Sequence, residues 1–309
     1  MPDAEAAEPT TSAALPLFSA CAFTTPDTTF EEDLALAIEI GAQGVGICEF
    51  KLRDGEEAAQ LAAMADSGLR ASICMPAHIS PLPTGVVFPG PEDIDERVAL
   101  MCASVRRLAP FQPESIVVIT GALRERTPQE ARRIVVEGLR EVATVAAGEN
   151  MRLGLEPQRV DVLPGRSLVS TIPETLDLLE EIGSDNIDIV YDVYHLFETE
   201  DIVELTRRHA SAFGGVQICD WRAQTRGWMD RVLPGDGVID LPALFAALDD
   251  GGYAGWYDLE VFSDDGRYGA DYPDSLWKLP PRQVLEAGLA GFRRAWEMRA
   301  GLAPPDAGA

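Results

Sequence analysis

Residues 152–192 read RLGLEPQRVDVLPGRSLVSTIPETLDLLEEIGSDNIDIVYD. A short apolar run, Arg152–Glu156, ends on an acid. A helix is predicted to begin after Ser170 and Thr171, with Pro173 in its first turn, where the missing amide hydrogen is no loss. A second apolar run, Ile187–Asp192, ends on another acid. Strands that alternate with helices in this way pair in parallel. The same unit recurs outward in both directions. Upstream lie the runs Phe18–Thr25, Gly44–Cys48, Arg70–Met75 and Ser115–Thr120, and downstream Gly214–Cys219 and Gly255–Val261. Helices are predicted from near Thr29, where Glu31, Glu32 and Asp33 complement the helix dipole, and over Glu56–Ser67, Glu92–Leu108, Pro128–Ala147, 200–210, 241–249 and 280–299. Eight such units with no break in composition predict one (β/α)8 TIM barrel over residues 17–299. An open doubly wound sheet would carry a glycine-rich turn after its first strand, and TTPDTTF (24–30) contains no glycine. Residues 1–16 are expected to be a flexible acidic leader without signal-peptide character, and 300–309 a frayed tail.

Composition narrows the partners. Among 309 residues, 51 Asp and Glu outweigh 25 Lys and Arg, a formal charge of −26. Such a field repels a phosphate backbone and an anionic lipid surface, so neither nucleic acid nor a membrane is an expected partner. Nor does any run reach the ~18 apolar residues of a spanning helix. The five cysteines are odd in number and form no CxxC pair, and Cys21, Cys48, Cys74 and Cys219 lie in apolar runs. Free buried thiols and a cytoplasmic location are therefore expected.

In a barrel of this kind chemistry gathers where the strands end. Glu49 ends the second run, His78 follows the third, Glu156 ends the fifth and Asp192 the sixth. Gln217 and Asp220 belong to the seventh and Glu260 to the eighth. Glu156, Asp192, Gln217 and Glu260 come from four successive strands, each one βα unit apart, so the fold brings them round a common axis. Three carboxylates in one space raise one another's pKa values, and a divalent cation removes the conflict. An all-oxygen set favours Mg2+ or Mn2+, with Co2+ as a substitute, over Zn2+.

GLEP (154–157), the Asp-x-x-His of YDVYH (191–195), the Q-x-x-D of VQICD (216–220), PGDG (234–237) and YDLE (257–260) together resemble the xylose-isomerase-like sugar isomerase/epimerase superfamily, over about residues 17–299. The resemblance implies one divalent metal on Glu156, Asp192, Gln217 and Glu260, with Glu156 and Glu260 as catalytic proton-transfer groups on opposite faces of the substrate. It also implies that His195 binds a substrate hydroxyl and Arg231 a substrate oxygen. Many such epimerases have His where this chain has Gln217; hydroxypyruvate isomerases and some dehydroshikimate dehydratases are similar to this chain in having Gln.

The expected reaction is isomerisation or epimerisation of a sugar or related hydroxy-carbonyl compound, by proton transfer next to a carbonyl through an enediolate. The alternative keeps metal and base but expels a β-substituent, giving a dehydratase or a 3-oxo-C-glycoside-cleaving lyase with a small partner subunit. Homo-oligomers are also expected of such barrels. The repair-endonuclease branch would need a histidine-rich cluster, and the chain has three histidines. A non-catalytic binding protein on this scaffold is a further alternative.

Two residues carry open readings. His78 either faces substrate or is solvated, and Glu49 either binds substrate or pairs with a Lys or Arg. Trp221, Trp228, Tyr194, Tyr257, Phe262 and Trp277 either fill the core or line a lid formed by DWRAQTRGWMDRVLPGDG (220–237), in which Trp228 would touch substrate. Asp220 and Arg222 are expected to anchor that lid by a salt bridge. Arg166, Arg222, Arg226 and Arg231 are the cations available for an anionic substrate group, with no glycine-rich cradle beside them.

Overall fold

The computed structural model describes residues 15–84, 87–159 and 166–301; the N-terminal leader expected over 1–16 and the tail over 300–309 lie almost entirely outside these. The barrel strands are β1 (Phe18–Cys21), β2 (Gly44–Gly46), β3 (Arg70–Cys74, in two pieces either side of Ser72), β4 (Ser115–Val118), β5 (Leu153–Leu155), β6 (Ile187–Asp192), β7 (Phe213–Ile218) and β8 (Tyr257–Leu259). Every neighbouring pair is parallel. β3 closes the circle: Arg70 and Ala71 pair with Gly44 and Val45, whereas Ile73 and Cys74 pair with Ser115 and Ile116. The split follows from the barrel's stagger, which hands one strand from its left neighbour to its right.

The helices are α1 (Phe30–Ile40), α2 (Glu57–Ser67), α3 (Ile94–Leu108), α4 (Pro128–Gly148), α5 (Ile172–Ile182), α6 (Ile202–His209), α7 (Leu241–Asp250) and α8 (Pro281–Met298). Their starts obey local chemistry. Thr29 with Glu32, and Thr171 with Glu174, form capping boxes, while Asp93, Thr127 and Asp240 each accept a first-turn amide. α1 stops at Gly41, whose φ of 75° is open to glycine at little cost. Among the described residues no helix is long and apolar enough to cross a membrane.

Alternation along β6 sorts the layers. Tyr191 turns outward and its hydroxyl meets Thr206 of α6 at 2.9 Å, while Val190 and Asp192 turn into the barrel. The outward residues of the strands pack beneath the helices in two large apolar clusters; a smaller one, with Ile73, Val117, Ile119 and Val190, fills the barrel itself. Close packing there needs bare backbone: a Cβ on Gly215 would stand 2.5 Å from Ile73 Cδ1.

Strands end earlier than the apolar runs suggest. The first run continues to Thr25, yet the ladder stops at Cys21. Beyond it the Thr24 hydroxyl donates to the Leu259 carbonyl at 2.8 Å and accepts the Val261 amide at 2.9 Å, so a side chain does the work of the ladder. All five cysteines are free and buried.

One acid lies inside the barrel away from the strand ends. Asp258 is fully buried; its Oδ1 accepts from Ser19 at 2.5 Å and Ser72 at 3.3 Å, and its Oδ2 has no partner. Burial pushes its pKa up to about 7, against the pull of those hydroxyls. A carboxyl whose folded pKa exceeds its unfolded value stabilises the fold fully only below the unfolded value, and that contribution is lost as pH rises through the folded one. The contribution of Asp258 to stability should therefore fall by roughly 4 kcal/mol between about pH 4 and just above 7. Asp258→Asn should flatten that part of the profile in urea denaturation series; an unchanged slope would show that Asp258 is already ionised in the fold.

Candidate active site

Glu156, Asp192, Gln217 and Glu260 stand at the ends of four successive strands. Glu156 follows β5 and Glu260 follows β8, their amides continuing the ladder to Val118 and Ile218 at 2.9 and 3.0 Å. Asp192 closes β6 directly beside Gln217 of β7. All four side chains are buried. Gln217 Nε2 donates to Glu260 Oε1 at 2.8 Å, and Gln217 Oε1 is buried with no hydrogen-bond partner.

Arg231 is the cation that answers these acids. Its Nη1 lies 2.9 Å from Asp192 Oδ2 and 3.3 Å from Glu260 Oε2, and its guanidinium rests over the Tyr194 ring, 3.9 Å from the centroid, and beside Phe262. The lid segment brings it there. Asp220–Trp221 pairs antiparallel with Arg231–Val232, a two-stranded ribbon that folds the chain back over the barrel mouth. Asp220 secures the ribbon through backbone amides of Trp221, Gly235 and Ile239 at 2.8–3.0 Å, not through a salt bridge to Arg222. Arg222 pairs with Asp230 and Asp274 instead, as does Arg226. The difference has a plain cause: convergent backbone amides of Trp221, Gly235, Gly237 and Ile239 already occupy the Asp220 carboxylate.

Burial raises the carboxyl pKa values. Glu156 is pushed up to about 8, by burial first and then by Asp192; Glu260 is driven well up, and Asp192 up, each by burial against the pull of Arg231. Burial opposes charge on Arg231 too, but Asp192 and Glu260 outweigh it and hold the guanidinium firmly protonated. His195, on the single helical turn Val193–Leu196 after β6, goes the other way. Burial, then Arg231, Arg166 and Arg159, hold it well below its ordinary range, hence neutral. Its Nδ1 accepts the Arg159 amide at 3.2 Å, which leaves the proton on Nε2, 3.7 Å from both Glu156 Oε1 and Asp192 Oδ2. One ligand-type atom from each of Glu156, Asp192 and His195 lies within 4.8 Å of the others, a spacing that could hold a metal ion.

Glu156, His195, Arg231, Glu260 and Trp228 line one small cavity, shared with Met75, Ile79, Phe88, Gln158, Arg166 and Phe262. Asp192 and Gln217 stand behind its carboxylates. Glu49 and His78 are not in this wall. The Glu49 carboxylate accepts the Ala77 amide at 2.7 Å and faces Arg107 at 3.9 Å, so it braces the loop after β3. His78, in that loop, is partly buried with Nδ1 unpartnered. Sequence reasoning passed over Gln158, whose amide donates to Glu156; its place two residues beyond a strand-end acid was the available signal. Of the aromatic group, Trp228 and Phe262 reach the cavity, while Tyr257 packs against Phe245, Phe292 and Trp296 under the helices.

A fold, a strand-end acid cluster and a lid of this kind define a class. The model of the xylose isomerase-like TIM barrel family matches residues 34–295, and the chain belongs to that family. It is 30% identical to hydroxypyruvate isomerase of Escherichia coli over 133 residues, 43% of this chain and 48% of that protein. It is 28% identical to inosose dehydratase of Erwinia tasmaniensis over 177 residues, 50% of this chain and 57% of that one. The chain thus spans about half the length of these curated relatives. Among solved structures, protein SMc04130 of Sinorhizobium meliloti superposes with a TM-score of 0.78 at 22% identity, covering 90% of this chain and 98% of that one.

Removing one partner from a buried ion cluster strands the others, at a cost of about 3–5 kcal/mol. Arg231→Gln should lose that much in urea denaturation. A variant as stable as the parent would mean that Asp192 and Glu260 are protonated and need no cation.

Proposed function

We propose that this protein is a divalent-metal-dependent isomerase or epimerase of a small sugar-like hydroxy-carbonyl compound. The observation that carries the reading is the pair of buried carboxylates, Glu156 and Glu260, facing one small cavity from the ends of β5 and β8. Glu156, Asp192, Gln217 and Glu260 would hold the metal. The charge and the donors fit one: three acids need a counter-charge beyond Arg231, the buried Gln217 oxygen lacks a partner, and Glu156 and Asp192 lie, with His195, at metal-binding spacing; Glu260, bonded to Gln217 and Arg231, would complete the set. Oxygen donors favour Mn2+ or Mg2+, with Co2+ as a substitute. A divalent cation there supplies charge that keeps the carboxylates ionised and stabilises the enediolate as a Lewis acid.

The chain's own groups do the rest. One of Glu156 and Glu260 takes the proton from carbon beside the carbonyl, and the other returns a proton on the opposite face or to the neighbouring carbon. The dry surroundings that raise their pKa values also make them stronger bases toward a weak carbon acid. His195 Nε2–H and the Arg231 guanidinium donate to substrate oxygens, and Gln158 orients Glu156. Trp228 and Phe262 cover the cavity and exclude water. The likeness to an inosose dehydratase supports a second reading, in which the same abstraction expels a β-substituent as a lyase.

Glu156→Gln and Glu260→Gln should each cut solvent deuterium incorporation next to the substrate carbonyl by roughly 10²-fold or more, read by proton NMR across ketoses, hydroxypyruvate and 3-oxo-glycosides. Undiminished incorporation in both variants rejects the proton-transfer roles. Dehydrated or cleaved products from the parent protein select the lyase reading.

A further inference from the structure

Arg166 is unlike the other arginines around the barrel mouth. Arg231 has two carboxylates, and Arg222 and Arg226 share Asp230 and Asp274. Arg166 lines the same cavity as Glu156, His195, Arg231 and Glu260. Its guanidinium lies between two aromatic faces of that wall, 5.6 Å from the Phe88 ring centroid and 5.4 Å from that of Trp228. Its Nε is shielded from solvent with no hydrogen-bond partner, and among the described residues no carboxylate forms an ion pair with it. A guanidinium does not give up its proton in a protein, so a shielded one calls for an anion.

The charges of the cavity say how large that anion is. With the proposed dication in place, Glu156, Asp192 and Glu260 are balanced by metal and Arg231 together, and His195 is neutral. Arg166 then stands as one surplus positive charge. A single carboxylate cancels it, and a planar carboxylate matches the two-pronged donor edge of a guanidinium. A phosphate dianion would leave excess negative charge.

We infer that Arg166 is a specificity-determining residue that binds a substrate carboxylate, so that the substrate is a short hydroxy-oxo acid rather than a neutral ketose. This rests on the proton-transfer reading of the same cavity. The aromatic faces fix the guanidinium plane, and the small cavity they border suits a short acid.

The test uses ligands without a carbonyl, which cannot turn over: glycerate, glycerol and glycerol 3-phosphate. Each is titrated calorimetrically into the manganese-loaded protein and into Arg166→Gln and Arg166→Lys, with manganese affinity measured separately for all three. The expected result is glycerate bound at least 10-fold tighter than glycerol by the parent. Arg166→Gln should lose 10-fold or more toward glycerate, with glycerol and manganese affinities unchanged, and Arg166→Lys should retain part of the preference. Equal binding of glycerate and glycerol by the parent, undiminished glycerate binding by Arg166→Gln, or tighter binding of the phosphate ester would each overturn the assignment. Failure to bind manganese would overturn the metal-dependent reaction and the charge balance together, whereas manganese binding with equal glycerate and glycerol affinities overturns the role of Arg166 alone.

Discussion

Three carboxylates held inside one barrel mouth set the terms for everything around them. Glu156, Asp192 and Glu260 are buried, and burial drives each toward its neutral form. Left alone they would protonate and become poor ligands and poor bases. Arg231 between Asp192 and Glu260 opposes this for part of the cluster, and its own charge is held by those acids in return. The interaction is reciprocal, so the site is a balance of charges before any substrate arrives. Replacing such a cluster with apolar residues would cost the fold little or nothing. Its presence is therefore better explained by chemistry than by stability.

The lid follows from that balance. A guanidinium has to be carried from outside the barrel into its mouth, and strands alone cannot do this because their ends already hold acids. The ribbon of Asp220–Trp221 and Arg231–Val232 supplies the path. Asp220 is spent on three backbone amides, and Asp230 on the side chains of Arg222 and Arg226. Those bonds give a long connection a fixed course, so that Arg231 reaches the acids with its side chain fully enclosed. The aromatic faces of Tyr194 and Phe262 keep the guanidinium dry.

The order of the strands was legible because it is written locally: apolar runs at one βα spacing, helix caps at Thr29 and Thr171, and acids at strand ends. β6 runs over Ile187–Asp192 as the apolar run does. Strand ends were less legible, since Thr24 replaces ladder bonds with its hydroxyl and no periodicity records that choice. The convergence of Glu156, Asp192, Gln217 and Glu260 was readable because topology alone enforces it. Glu49 and His78 show the limit of the same logic. Both follow strand ends, but the loop after β3 turns on the Glu49 carboxylate through the Ala77 amide, and neither side chain enters the cavity wall. A strand end guarantees proximity to the mouth; the path of the next few residues decides which way the side chain faces.

Arg166 could be seen in the sequence only as one arginine of four. What separates it is the absence of an acid at the right distance, which is a property of three dimensions. The other three are paired with protein carboxylates. A cation that the fold shields on one edge, flanks with Phe88 and Trp228, and leaves without an ion pair among the described residues carries a desolvation cost that those rings and the attraction of Glu156 and Glu260 offset only in part. The same desolvation makes any anion that enters bind more strongly than it would in water, because the competing solvent has already been removed. Tolerating that cost in the free protein is the physical condition for discriminating a charged ligand from its neutral counterpart.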